Sequence, residues 1–187
     1  MISQYTLNLI SFLSGIFTII AAIATLIALF FAWRMWKTWK LQQTYAFHRE
    51  KLIENEINII ALFNYQNNTI KQIFDMKLSK LKSELKKSDE IFYSEVLDNI
   101  NKKQEVYEDK YAICRFTLDR YNILYPKHLV FDIVNFNKET MNLVKKIENI
   151  DNVQELKQIF EKYIYESASK KDKLLNELAI FRKDSLK

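Results

Sequence analysis

The first charged side chain in this 187-residue sequence is Arg34. Residues 7–33 are almost wholly Leu, Ile, Phe and Ala, with a few Ser and Thr and one Gly. A helix of that length measures roughly 40 Å at 1.5 Å per residue. That is enough to cross a hydrocarbon core of about 30 Å with some tilt. A cleaved signal peptide fits poorly: no Lys or Arg precedes the run, the run is too long, and basic residues follow it directly. A buried helix of a soluble domain does not need so long an uncharged stretch.

The two ends of the run differ. Thr6, Asn8, Ser11 and Ser14 make the N-terminal end slightly wetter. At the other end Trp33, Trp36 and Trp39 alternate with Arg34, Lys37 and Lys40. Indole rings with basic neighbours suit a helix leaving the bilayer at headgroup level, so these six are the expected membrane-interface anchors. Five basic groups and one acid, Glu50, fall in residues 34–51, and no Lys or Arg lies before the run. The positive-inside rule then places the C-terminal part in the cytoplasm and the short N-terminal tail outside, in an inner (cytoplasmic) membrane. On that topology the Asn67-Asn68-Thr69 sequon is a chance match.

Along the apolar run Ser14, Thr18, Ala21, Thr25, Ala28 and Ala32 recur every three or four residues, forming a stripe of small side chains. Small residues let membrane helices approach closely, and this stripe is the candidate self-association seam. The competing reading is that Ala, Ser and Thr are simply common in such helices.

Beyond the run the chain is short of turn-formers. Glycine and proline occur once each, against averages of roughly 7% and 5%. A hairpin-rich β fold is thereby disfavoured, and helical spacing recurs throughout. The first helix has no clear breaker after Trp39. Ile53, Ile57 and Ile60 open an apolar stripe, and Phe74, Leu78, Leu81 and Leu85 close it, with an expected end near Lys86-Lys87. Between them residues 64–68, Asn-Tyr-Gln-Asn-Asn, have poorer helix propensity and mark a kink, a short break or a polar face. Ser88 followed by Asp89 and Glu90 reads as the cap of a second helix. Its stripe is Tyr93, Leu97, Ile100, Gln104, Tyr107, Tyr111, Cys114, Leu118, Tyr121 and Tyr125, stopped by Pro126. A third helix carries Leu129, Ile133, Phe136, Thr140, Leu143, Ile147 and Ile150. Asp151, with Gln154 three residues on, is the expected cap of a fourth. The fourth presents Val153, Leu156, Phe160, Tyr163, Leu174, Leu178 and Phe181, interrupted by a polar gap over residues 167–173. The expected architecture is all-α: one N-terminal transmembrane helix (residues 1–36) followed by a cytoplasmic antiparallel bundle or coiled-coil hairpin of about four helices (residues 37–187).

Reactive constellations are sparse. His128 and Asp132 are spaced as two ligands on one helix face, but a local ion pair is the commoner use, and His48 is the only other histidine. Glu50 and Glu54 share a face that His48 does not, which reads as solvated surface. Cys114 sits on an apolar stripe and reads as a structural thiol. The tyrosines of the second helix read as core first and partner groove second. Lys77, Lys80, Lys82, Lys86 and Lys87 form a basic patch whose default is a solvated face, with anionic headgroups or nucleic acid as alternatives; nucleic acid is the less favoured partner. A glycine-rich phosphate loop is excluded by the single Gly15.

The expectation is a non-enzymatic, membrane-anchored interaction or scaffold module without cofactor or metal. Its partners are the lipid bilayer and further copies of itself or another protein. The alternative is a small bacterial membrane effector of toxin or phage-defence type whose oligomerised spans perturb the bilayer. Least favoured is an unfamiliar helical enzyme using His128, Asp132 or Arg120.

Overall fold

The computed structural model describes residues 4–84, 86–121, 123 and 126–185. Among the described residues there is no strand. The helices are α1 (Gln4–Leu81), α2 (Lys87–Arg120), α3 (Ile133–Glu148) and α4 (Val153–Ser185), with one 3-10 turn at Lys127–Leu129. The chain divides into two compact units, Met1–Phe47 and His48–Lys187.

In the first unit every described side chain from Gln4 to Ala46 is exposed. The most apolar 18-residue window of α1 has a mean hydropathy of 2.5 and none of it is buried. By length and composition this helix can cross a membrane. Leu26 is 67% exposed and Phe17 68%, values for which water is a poor solvent.

The second unit is a helical bundle whose directions follow from its contacts. The Lys51 carbonyl meets the Cys114 thiol at 3.4 Å, Tyr65 meets Tyr107 at 5.4 Å between ring centroids, and Lys80 meets Glu90 at 3.2 Å. The numbers run in opposite senses, so α2 is antiparallel to α1. Lys77 reaches the Glu148 carbonyl at 2.8 Å while Gln66 reaches Thr140, so α3 runs parallel to α1. Arg182 binds Glu56 at 2.9 Å and Phe160 stacks on Phe74 at 4.1 Å, so α4 is antiparallel to α1. Up-down-up-down order with short connections is the simplest bundle topology.

Three apolar clusters fill the interior. Ile59, Leu62 and Phe63 pack with Tyr111, Leu129, Phe131, Phe136 and Leu178. Ile70 and Phe74 pack with Ile147, Ile150 and Leu156. Leu52 packs with Cys114, Leu118 and Ile123. Fully burying one such aliphatic side chain stabilises by about 1.5–3 kcal/mol.

The α2 stripe is seated as its spacing predicts: Tyr111, Cys114 and Leu118 are buried, and Tyr93 to Tyr107 are half-buried. Tyr121, at the helix end, is 57% exposed, and Tyr125 lies outside the described residues, as does Leu85. In the α1 stripe Phe74, Leu78 and Leu81 pack inward as expected, but the opening of the stripe is displaced from its expected phase. Ile57 is 54% exposed, whereas Leu52, Ile59 and Leu62 are buried.

Helix ends moved further. α1 stops at Leu81 rather than at Lys86-Lys87. Ser83 takes a left-handed backbone at φ 58°, its N–H donates to the Lys80 carbonyl and that of Glu84 to the Ser79 carbonyl. This is a Schellman closure, in which serine stands where glycine is usual. α2 is capped at Lys86, not Ser88: the Lys86 N–H donates to Asp89 Oδ2 at 3.2 Å, so the acid at the third position of the helix closes it. α3 begins at Ile133, after the separate 3-10 turn that holds Leu129; Asp132 Oδ1 accepts the Asn135 N–H at 2.9 Å. The cap of α4 is Asn152, not Asp151, its Oδ1 accepting the Gln154 N–H at 2.7 Å. Neither residues 64–68 nor 167–173 break their helices.

Candidate functional site

Two regions present chemistry: the end of the apolar run in the first unit, and a polar layer within the bundle.

In the first unit the Trp and Lys spacings of four residues close onto one another. Lys37 Nζ lies 5.8 Å from the centroid of Trp33, and Lys40 Nζ 5.6 Å from that of Trp36. Cation–π contact lets a long cation lie along the helix surface with its charge over an indole face. Arg34 differs: among the described residues its guanidinium has no ion-pair or ring partner. It borders a shallow groove of about 350 Å³ formed with Phe31, Met35, Thr38, Trp39 and Gln42.

The small-residue stripe is exposed along its whole length. Two of its hydroxyls are closed onto their own helix: Thr18 Oγ1 donates to the Ser14 carbonyl and Thr25 Oγ1 to the Ala21 carbonyl, both at 2.8 Å. Each hydroxyl is therefore satisfied without a second helix, which lowers the cost of placing it in hydrocarbon. Ala21, Ala28 and Ala32 add no polar atom beyond the backbone.

The bundle's polar layer is built by the segment that read as weak helix. Gln66, 4% exposed, donates to Thr140 Oγ1, and the Thr140 hydroxyl donates to the Phe136 carbonyl at 2.9 Å. Asn67 Oδ1 accepts two hydroxyls from α4, Tyr163 at 2.7 Å and Ser167 at 2.8 Å. Burial pushes the Tyr163 phenol up to about 12, so it remains a donor. Above this layer a cavity of about 320 Å³ opens between α1, α3 and α4. Lys146, Lys162 and Lys170 stand at its rim with Glu139 and Glu166. Lys170 pairs with Glu139 at 2.8 Å and Lys162 with Glu166 at 3.8 Å, so most of the rim charge is neutralised locally.

The residues singled out for chemistry are dispersed. His128 lies in the 3-10 turn and Asp132 caps α3, so the two do not share a helix face. No group of three or more His, Cys, Asp or Glu side chains among the described residues is placed to hold a metal ion. His48 is half-buried and Glu50 exposed. Glu54 accepts from Lys51 at 2.7 Å. Arg120 is exposed at the end of α2. Cys114 is buried, its thiol donating to the Lys51 carbonyl, and burial pushes it up to about 11, far from nucleophilic use at neutral pH. Tyr111 has its hydroxyl on the Phe131 carbonyl at 3.0 Å and is core. In the basic patch, Lys77 is held by Glu148 and Asp151, Lys80 by Glu90 and Lys82 by Glu84; Lys86 and Lys87 are exposed.

Sequence reasoning missed the Gln66, Asn67, Tyr163 and Ser167 layer. Its signal was phase: Gln66 continues the Ile59–Leu62 spacing, and Ser167 continues Leu156–Phe160–Tyr163. Comparison with protein-family models, characterised proteins and solved structures finds no match to this chain.

Proposed function

We propose that the chain is a membrane-anchored helical interaction module, working by recruitment or self-assembly rather than by covalent chemistry. The observation that carries this reading is the apolar window of α1, with a mean hydropathy of 2.5 and no part buried. Such a surface calls for lipid or protein cover. The Trp and Lys pairs at its end supply amphipathic anchors of the kind found at headgroup level. The bundle fills its own core, and its described residues gather no convergent set of reactive groups, which favours a binding role over a catalytic one. In this reading residues 1–36 anchor the chain in an inner membrane with the N-terminus outside. Residues 37–187 form the cytoplasmic part, and the stripe from Ser14 to Ala32 is the seam between copies.

Cell fractionation tests it. The full chain should stay in the membrane after alkaline carbonate washing and float with liposomes. A C-terminal tag should resist protease added to intact cells and be digested once the membrane is opened. Free solubility without detergent, or digestion from outside, overturns the reading. Cross-linking in membranes tests the seam: a dimer or larger species should form, and Ala21→Leu with Ala28→Leu should reduce it.

A further inference from the structure

We infer that the groove beside Arg34 is a binding subsite for one anionic phospholipid, with the guanidinium on its phosphate. The inference rests on the membrane reading above and adds to it a defined ligand class and a defined residue. Three observations carry it. First, the groove sets apolar and polar side chains together on one helix face. Phe31 lies nearest the apolar run, Arg34 and Met35 come next, then Thr38 and Trp39, with Gln42 furthest. A phospholipid carries acyl chain, phosphate and polar headgroup in that order, so one molecule lying along the helix sets its chain by Phe31, its phosphate at Arg34 and its headgroup toward Thr38 and Gln42.

Second, the three cations of this belt are not equivalent. Lys37 and Lys40 lie against Trp33 and Trp36. The Arg34 guanidinium is the belt cation left without an intramolecular partner among the described residues. Third, the chemistry selects. A guanidinium offers a planar fork of N–H donors that meets two phosphate oxygens at once, whereas an ammonium acts as a point charge. The Thr38 hydroxyl already donates to the Arg34 carbonyl at 3.1 Å, so its oxygen acts as an acceptor and suits a hydroxylated headgroup. The Gln42 amide supplies a further donor at the outer end. A glycerol headgroup on a phosphate fits this set better than a bulky trimethylammonium.

Brominated lipids, which quench nearby indoles, provide the test. The full-length chain, whose three tryptophans Trp33, Trp36 and Trp39 all lie in this belt and stay in place as reporters, is reconstituted in phosphatidylcholine vesicles. One tenth of the lipid is brominated phosphatidylglycerol in one set and brominated phosphatidylcholine in the other. Quenching of the belt indoles should correspond to about fivefold local enrichment of the anionic lipid, the scale of one basic group near a charged surface. Arg34→Gln should remove the enrichment, Arg34→Lys should retain only part of it, and Lys37→Gln should leave it nearly intact. Added inorganic phosphate should not displace the lipid, because the acyl contact contributes to the hold.

Equal quenching by the two lipids overturns the subsite while leaving the anchor standing. So does an equal loss in Arg34→Gln and Lys37→Gln, which is the behaviour of a diffuse charge. Failure of the chain to float with the vesicles overturns the anchor and the subsite together.

Discussion

One helix, α1, carries two opposite solutions to the placing of polar and apolar groups. In its first part leucine, isoleucine and phenylalanine stand exposed, and the Thr18 and Thr25 hydroxyls answer to their own backbone. In its later part the reverse holds: Asn55 is 0% exposed, and Gln66 is 4%. Apolar groups outside and amides inside is wrong for a single solvent. It becomes reasonable if the first part meets lipid, where satisfaction must be internal. The second part meets three other helices, where Gln66 and Asn67 find defined partners on α3 and α4. Hydropathy alone ranks these two stretches correctly. It does not say that the more polar one is the better buried.

The same substitution at two isoleucines breaks this contrast most sharply. Ile70 is 0% exposed within the bundle, and Ile70→Asp should destabilise it by on the order of 4–5 kcal/mol, the range of an unpaired buried charge. Thermal unfolding by circular dichroism of the detergent-solubilised chain should show the bundle transition lost or greatly lowered. Ile20 is 56% exposed in the apolar run. Ile20→Asp should leave that transition in place and instead cost about 3 kcal/mol of membrane insertion, read as the fraction resisting carbonate extraction. If Ile20→Asp lowers bundle stability as much as Ile70→Asp, the two parts are not separate in the sense argued.

Smaller effects test the polar layer. Asn67→Ala removes the acceptor of both Tyr163 and Ser167 and should cost about 1–3 kcal/mol in urea unfolding. A neutral result would mean that water replaces the amide. The smallest effect concerns Glu56, bound by Arg182 at 2.9 and 3.2 Å. Burial raises the Glu56 carboxyl above its ordinary 4.5, outweighing the Arg182 charge and hydrogen bond that lower it. A carboxyl raised on folding favours the folded state most when protonated. Its contribution therefore declines as pH rises from 4.5 through the raised folded value. Glu56→Gln should flatten the stability–pH curve in that window, by a few tenths of a kcal/mol up to about 1 kcal/mol. A curve of unchanged slope would show that the Arg182 pairing dominates.

Helix number and the apolar run were legible in the sequence because periodicity averages over many side chains. Helix ends were not, because each is decided by one or two groups. Asn152 displaced the neighbouring Asp151 as cap, and Asp89 closed α2 from inside its first turn. Ser83 adopts a backbone for which its residue type gives little forewarning. The polar layer was hidden for a different reason. Gln66 and Asn67 score as weak helix formers, and their value lies in side chains from α3 and α4 that local propensity does not see. In the sequence Arg34 reads like Lys37 and Lys40, one basic residue among three; its difference from them needed the ring distances.

The double acceptance at Asn67 also fixes alignment. Sliding α4 by one turn along α1 would move Ser167 and Tyr163 by about 5.4 Å, stranding a carbonyl oxygen that apolar neighbours cannot serve. Leucine and isoleucine contacts tolerate such slippage far better. A single amide thereby acts as a vernier mark, telling the chain where a serine 100 positions later must come to rest.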